Sequence, residues 1–313
     1  MHTNDYRDQI LSLIRSPSAD VRAQAFEILS AAPELLRTLR VPLRLLPIPA
    51  GADLRGWPLR RLDLQRAALD HPDLRGVDLS RANLRDTRIT GGKWDGVRLD
   101  RTRTHRLVIV SADLRGLALS PGALRGAVLV DCTLSLEQLT SGMLESVTLR
   151  SYHLTGVDLR HANLHGIRFE DCRLEGCDLR WADLRCARLV RTTLVGCDLE
   201  EASLKGARLY RADLRKQSLK GADLSRSKLE NCRLDGADLR NTQLRGALVA
   251  QTSLIGASMA GAELYGADLQ RSTLLRQPMR GVLYDRRTRW PAGYATPRRS
   301  GPRVLRQLGV GAA

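Results

Sequence analysis

Leucine recurs at every fifth position through most of the chain. From Leu54 to Tyr284 the series keeps one phase without an insertion, and 38 of its 47 positions are leucine. Neither the 3.6-residue period of a helix nor the two-residue period of a simple strand produces this spacing. Fixed self-similarity is typical of a repeat protein, in which each unit buries its apolar side only by stacking on its neighbours.

Each five-residue unit repeats one internal pattern. The residue two before the central leucine is mostly small, as at Ala82 and Ala182, and the residue between is often Asp or Asn. Side chains two positions apart point to the same side of an extended segment, so both can face a core. Asp and Asn suit bends because they bond nearby backbone amides. Each unit is therefore predicted to be a short strand followed by a corner.

Glycine two residues after the centre indicates how many units close one coil. In one register it recurs with a spacing of twenty, at positions 56, 76, 96, 116, 156, 176, 196, 236 and 256. Glycine favours corners that need positive φ. The spacing predicts four units per coil, about twelve coils in all, and a turn type shared by opposite corners.

The runs ADLRG, ANLRD and CDLRW resemble the pentapeptide-repeat proteins, and the resemblance covers residues 50–284. It implies an all-β fold, a right-handed quadrilateral parallel β-helix with four faces per coil. The twenty-residue period agrees with this implication, whereas the handedness and the square section come from the family alone.

The segments outside the repeat differ from it in composition. Eight of the twelve prolines lie there. Residues 1–49 carry apolar residues at helical spacing, with Ser18 placed as an N-cap, and are predicted to form an α-helical cap over the first coil. The alternative for this segment is a dimerisation or partner-docking element. Residues 285–313 form a basic tail or cap with seven arginines and one acid.

Two stretches break the regular pattern. One places Trp94 and Thr104 at centres, and the other places Glu137 in a small-residue slot. A buried, unpaired carboxylate would cost several kcal/mol. Glu137 is therefore expected to mark a bulged or briefly helical coil.

Five of the six cysteines occupy the inward slot that alanine otherwise holds, namely Cys132, Cys172, Cys177, Cys197 and Cys232. In that slot they are interpreted as small buried hydrophobes, and only Cys186 lies on an outward corner. A metal site needs convergent ligands, whereas these thiols follow a line. We expect six free thiols and no metal, cofactor or catalytic constellation.

The net charge of +16 favours an anionic partner, although total charge speaks to solubility more than to fold. No apolar run of about 18 residues and no signal-like leader is present, so we expect a cytoplasmic protein without membrane insertion.

Two groups of outward residues stand out as candidate binding surfaces. Val108, Val110, Val128 and Val130 form an apolar patch on one face. Further along the same face lies a basic column, made of Arg168, Arg188, Arg208 and Lys228 with Arg191 and Arg211 at the neighbouring corner. Apolar patches mark contact sites, and an arginine column can follow a phosphate backbone or pair with acids such as Glu170, Glu175 and Glu230.

These features favour a non-enzymatic scaffold or interaction protein that presents flat faces to a protein partner, including a further copy of the chain. The alternative is a nucleic-acid-binding protein that uses the arginine column and the arginine-rich tail, where Trp290 and Tyr294 could stack on bases. No small-molecule substrate is expected, since a filled repeat interior leaves no deep pocket.

Overall fold

The computed structural model describes residues 3–39, 43–275 and 279–297. The chain forms two compact units. The first comprises Met1–His153 with His161–Arg173, and the second comprises Leu154–Arg160 with Leu174–Ala313.

Helices precede the repeat in the first unit. They are α1 (Thr3–Arg15), α2 (Ala19–Ala31), α3 (Leu35–Leu39) and a 3-10 turn at Leu43–Leu45. Ser18 occupies the N-cap position of α2 as predicted, but its side chain makes no capping hydrogen bond. Instead the Arg22 guanidinium donates to the carbonyls of Ser16 and Pro17, at 2.7 and 2.9 Å. Phe26 of α2 stacks on Trp57 in the first coil, with ring centroids 5.5 Å apart.

The described repeat contains thirteen three-residue strands. They are β1 (Ala68–Asp70), β2 (Arg88–Thr90), β3 (Val108–Val110), β4 (Val128–Val130), β5 (Thr148–Arg150), β6 (His153–Thr155), β7 (Arg168–Glu170), β8 (Arg173–Glu175), β9 (Arg188–Val190), β10 (Thr193–Val195), β11 (Arg208–Tyr210), β12 (Lys228–Glu230) and β13 (Leu248–Ala250).

All strand pairs are parallel, and the partners lie twenty residues apart. In the first unit β1, β2, β3, β4, β5 and β7 pair in that order. In the second unit β9, β11, β12 and β13 do the same. Isolated parallel bridges with the same spacing connect the other faces, for example Asp63 with Asn83 and Asp238 with Ser258.

The fold is the predicted right-handed quadrilateral parallel β-helix. The number of fully stranded coils is lower than the predicted twelve, since ten strands follow the twenty-residue ladder from β1 to β13. The difference arises at the two ends of the repeat. There the coils pair through single bridges, such as Asp53 with Asp73 and Asp268 with Arg289, and do not form three-residue strands.

The core consists of the two inward positions of each unit. Leu204, Leu214 and Leu224 are fully buried centres, and Ala202 and Ala222 fill the small slots with no exposed surface. Backbone hydrogen bonds connect each coil to the next. The predicted division of each unit into two inward apolar residues and outward polar residues is confirmed. Because the interior is filled by leucine and alanine, every functional group of the repeat lies on the outside.

The corners differ from the sequence prediction. Positive φ at the residue two after the centre occurs in all four corner registers and is not confined to the glycine-rich ones. Arg61, Arg66 and His71 show this with φ of 65°, 61° and 48°. The left-handed conformation is therefore imposed by closure of the coil, and glycine only makes it less costly.

The segment around Glu137 is helical, as predicted. Helix α4 (Leu136–Thr140) takes the place of one five-residue unit, and Glu137 is exposed on it. A capping box fixes the start of the helix: the Gln138 amide donates to the Ser135 hydroxyl, and the Gln138 side chain accepts from the Ser135 amide. The side chain that becomes buried is that of Gln138, which is 4% exposed.

The other irregular coil keeps its inward side chains. Trp94 and Thr104 are buried at 1% and 3% exposure. The Trp94 indole donates to the Gly91 carbonyl at 3.0 Å, and the Thr104 hydroxyl donates to the carbonyls of Ala123 and Arg125 at 3.2 and 3.1 Å. Both polar atoms are therefore satisfied, which lets these residues replace leucine.

Candidate functional site

Most Asp-Leu-Arg units carry their own ion pair. The arginine two residues after the aspartate donates through Nη2 to Oδ2 at 2.6 to 2.7 Å in eight units: Asp53–Arg55, Asp73–Arg75, Asp113–Arg115, Asp158–Arg160, Asp178–Arg180, Asp183–Arg185, Asp213–Arg215 and Asp238–Arg240. In most of them the same aspartate also accepts from the backbone amide of the arginine. These arginines therefore serve the repeat and are not free for an external anion.

The pairing holds these carboxylates ionised. The hydrogen bond from the arginine side chain lowers the pKa of Asp53, Asp113 and Asp158 to about 2. None of them has a raised pKa that would suit a general acid at neutral pH. Although the repeat contains many aspartates, those in the Asp-Leu-Arg ion pairs have a structural role and do not form an acidic functional site.

The valine patch lies on β3 and β4 in the first unit. Val108 pairs in register with Val128, and Val110 with Val130. All four side chains are half-buried; along the ladder the patch is flanked by Thr90 and Thr148 and by two arginines, Arg88 in register with Val108 and Arg150 in register with Val130. The patch is thus apolar and flat, but less exposed than the sequence alone suggests.

The basic column is distributed over both units. In the first unit Arg168 lies 3.7 Å from Glu170, which also accepts from Arg150 at 2.7 Å. In the second unit Arg208 pairs in register with Arg188 on one side and with Lys228 on the other. Arg211 lies over the Tyr210 ring, 5.2 Å from its centroid. In the second unit Arg188, Arg208 and Lys228 keep the predicted register, but several members of the column already have intramolecular contacts; Arg188 and Arg191 are among these.

The start of the basic tail folds onto the last coil. The Thr288 hydroxyl donates to the Leu264 carbonyl at 2.7 Å, and the Asp285 carboxylate accepts from the Gly266 amide at 2.9 Å. Trp290 and Tyr294 stack on each other with centroids 5.6 Å apart. The two rings that were proposed to stack on bases are therefore stacked on each other. Arginines 298, 299, 303 and 306 of the tail lie outside the described residues.

A further basic cluster lies at a corner that the sequence analysis did not consider. Arg61, Arg81 and Arg101 occupy one corner register of the first unit, twenty residues apart, and all three are exposed. Corner residues belong to no face, so this column is not recognised when outward residues are grouped by face. The signal that could have found it is the twenty-residue spacing of arginine in the register where glycine is rare.

The cysteines occupy the predicted positions. Five are buried and Cys186 is exposed. Each buried thiol donates to a carbonyl of the preceding coil, for example Cys172 to Leu149 at 3.2 Å and Cys232 to Leu209 at 3.3 Å. Burial raises the pKa of both thiols to about 11. Thiols with such pKa values are poor nucleophiles and poor metal ligands at neutral pH.

No group of three or more metal-binding side chains converges within the described ranges. An open groove in the second unit is lined by Thr193, Val195, Asp213, Arg215, Lys216 and Asp235. Its Asp213 carboxylate is bound by Arg215 at 2.6 Å, and its Asp235 carboxylate accepts from the Ser253 hydroxyl and the Ile255 amide. Both carboxylates therefore already have hydrogen-bond donors within the repeat. Among the described residues, no helix has the length and apolar character needed to cross a membrane.

The cysteine arrangement gives a thiol-count prediction. In the native protein a disulfide reagent is expected to titrate one thiol, that of Cys186, and to titrate six after denaturation, since the other five are buried. A Cys186→Ala variant should give none and five. A denatured count of four in the wild type, which would signify a disulfide, contradicts the prediction.

Comparison with known proteins agrees with this architecture. Residues 167–244 match the family described as pentapeptide repeat region, and residues 63–101 and 237–274 match the family described as pentapeptide repeats (8 copies). A search of curated proteins finds no match.

Several solved structures are similar to this chain. The plasmid-mediated fluoroquinolone resistance protein QnrB1 is 19% identical, with 44% of this chain and 94% of that chain covered and a TM-score of 0.30. HetL of the cyanobacterium Nostoc sp. strain PCC 7120, involved in heterocyst differentiation regulation, is 26% identical, with 71% and 85% covered and a TM-score of 0.22. A pentapeptide repeat protein of the Arabidopsis thaliana thylakoid lumen is 25% identical, with 40% and 70% covered and a TM-score of 0.16.

The five-residue period, the parallel ladders with twenty-residue spacing and the two family matches lead to one assignment: the chain is a member of the pentapeptide-repeat family.

Proposed function

We propose that this protein is a non-enzymatic interaction module of the cytoplasm whose flat outer faces bind a protein partner, with the valine patch as the principal contact. The observation that carries the proposal is the in-register pairing of Val108 with Val128 and of Val110 with Val130. Four β-branched side chains on adjacent coils form a flat apolar surface, and such surfaces mark protein contacts.

A second copy of this chain is the occupant that the face fits best. The patch is followed on the same face by Arg168 and Glu170, which stand at the two outward positions of β7. Two copies that meet face to face with opposite strand directions place the valines against valines and Arg168 of one copy opposite Glu170 of the other. Residues of both signs at matched positions suit such a symmetric contact.

Substitution of the patch tests this proposal. Val110→Lys with Val128→Lys is expected to convert a self-associating wild type into a monomer, because each copy would bury two ammonium groups without a partner charge against the valines of the other copy. Sedimentation velocity over a concentration series measures the change. Far-UV circular dichroism should stay β-rich, since both side chains point outward.

Ser111→Lys with Asp131→Lys is the matched control, because it places lysines in the same two coils at the exposed neighbouring corner. This control should keep the assembly of the wild type. If the wild type is monomeric at all concentrations, or if the valine variant assembles like the wild type, the proposed contact is wrong.

The alternative function, nucleic-acid binding by the basic column and the tail, has weaker support. Arg168 is close to Glu170, and Arg211 is stacked on Tyr210. Only Arg208 and Lys228 remain in the described part of the column as exposed cations with no ion pair, hydrogen bond or ring contact through their side chains. Two such charges offer few phosphate contacts.

A further inference from the structure

The strongest unassigned charge feature lies at one corner of the first unit. Arg61, Arg81 and Arg101 follow one another from coil to coil: the Arg61 amide donates to the Ser80 carbonyl at 3.1 Å, and the Arg81 amide donates to the Asp100 carbonyl at 2.9 Å. With a coil rise of about 4.8 Å, their Cα atoms span about 10 Å. Arg85 and Arg103 are exposed on the adjoining face. These five arginines are called the basic corner below.

None of the five side chains has an ion pair or hydrogen bond to another described residue. This distinguishes them from the arginines of the Asp-Leu-Arg units, which are bound at 2.6 to 2.7 Å. Like charges on adjacent coils repel each other. The basic corner therefore carries an unfavourable interaction that an external anion would relieve.

The charge is local to this part of the molecule. Over four coils, between residues 61 and 126, the outward positions of this face and its two corners hold eight arginines and two aspartates, which gives 8 − 2 = +6. The same positions between residues 181 and 246 of the second unit hold four basic and three acidic residues, which gives 4 − 3 = +1. The excess is thus a property of the first unit and not of the repeat.

The chemistry of the surface indicates the kind of anion. Its outward positions include no Phe, Trp or Tyr, whereas protein interfaces depend on apolar and aromatic anchors and single-stranded nucleic acids on stacking platforms. A row of evenly spaced guanidinium groups suits evenly spaced phosphates. The 10 Å span corresponds to about three base-pair rises of 3.4 Å along the axis of a duplex.

We propose that the basic corner binds the phosphate backbone of double-stranded DNA without sequence preference. Arg61, Arg81 and Arg101 follow one strand, and Arg85 and Arg103 contact phosphates beside it. This surface is separate from the valine patch. Its test is therefore independent of the proposed protein contact.

Arg81→Gly with Arg101→Gly is the informative variant in the full chain. Both residues have positive φ, 61° and 56°, so glycine removes the guanidinium groups and relieves the backbone at once. With a 20-base-pair duplex as the probe, the log–log slope of affinity against salt is expected to flatten by about 1.8, since each phosphate contact contributes about 0.9. At 0.1 M salt this corresponds to a loss of about 60-fold.

Lys216→Gly with Arg226→Gly is the matched control. It removes two positive charges from corners of the second unit with φ of 60° and 57°. Affinity within about threefold of the wild type is expected, because the total charge changes equally but the basic corner is intact. Arg81→Gln with Arg101→Gln should reproduce the loss if the glycine variant is poorly folded.

Three results would overturn the proposal. The first is a wild type that does not bind the duplex at 50 mM salt. The second is an equal loss in the control variant, which would assign the binding to total charge. The third is tighter binding of a single strand of the same sequence, which would assign the surface to another class of nucleic acid.

Discussion

Replacing Gln138 by alanine is expected to destabilise the first unit by about 3 to 5 kcal/mol, since orphaned buried polar groups cost about 1 to 3 kcal/mol each. The Gln138 side chain donates to the carbonyls of Leu114 and Leu117 at 2.8 and 2.9 Å and accepts from the Ser135 amide at 2.9 Å. Alanine removes all three bonds and leaves a cavity; the Leu114 carbonyl keeps its bond from the Leu117 amide at 2.9 Å, whereas the Leu117 carbonyl and the Ser135 amide lose their partner. Urea unfolding followed by far-UV circular dichroism measures the change in the free energy of unfolding.

Glu137→Ala serves as the control for this variant. Glu137 is the neighbouring residue on α4 and is exposed, so its loss should change stability by less than about 0.5 kcal/mol. A cost below about 1 kcal/mol for Gln138→Ala would show that the Leu117 carbonyl and the Ser135 amide find other partners. The role assigned to Gln138 as the bond between α4 and the preceding coil would then be wrong.

Gln138 also illustrates how far the sequence carries the fold. The five-residue period predicts inward centres because a leucine and a small residue two apart can only face one side of an extended segment. The twenty-residue spacing of glycine predicts the coil. Glu137 signals an interruption because an ionised carboxylate cannot fill an alanine slot. The sequence does not reveal that the adjacent glutamine replaces it in the core, since that depends on the local helical backbone.

Gln217 makes the same point in the second unit. It occupies a small-residue slot and is 5% exposed. Its side chain accepts from the Cys197 amide at 2.7 Å and donates to the Arg215 carbonyl at 2.5 Å. A long polar side chain is tolerated there because it bonds the Cys197 amide of the preceding coil and the Arg215 carbonyl two residues before it. Residue type alone cannot predict this, because one of the partners is a backbone atom from another coil.

The candidate surfaces were predicted less completely than the fold. The valine patch follows from alternation along a strand, so sequence reasoning places it correctly on one face. The basic corner is not seen when outward residues are grouped by face, and coil closure imposes positive φ on residues such as Arg81 at corners where glycine is expected. The availability of a guanidinium group also depends on its partners: Arg115 is bound by Asp113 at 2.6 Å, whereas Arg81 has no such acid.

Replacing Trp94 by alanine is expected to cost about 3 to 5 kcal/mol, the range for removing a buried aromatic side chain. Trp94 is 1% exposed at a centre where most coils have leucine. Gly92 occupies the small slot of the same unit, where φ is 87° and an added Cβ would lie 2.7 Å from the Pro72 carbonyl oxygen. The backbone beside Trp94 is thus packed closely against the preceding coil, so collapse around alanine is limited and the cavity persists.

Trp94→Leu tests whether the coil requires the tryptophan itself or only the leucine that the repeat prefers at its centre. It restores the residue that the repeat prefers, but it leaves the Gly91 carbonyl without its indole donor at 3.0 Å. We expect an intermediate loss of about 1 to 3 kcal/mol for that unsatisfied carbonyl. Trp181→Ala is the matched control, because this tryptophan is 46% exposed at a corner. Urea unfolding of the three variants should rank Trp94→Ala lowest in stability. Equal stability of Trp94→Leu and the wild type would show that Gly92 and its neighbours relax around leucine, and that the tryptophan is not required by its coil.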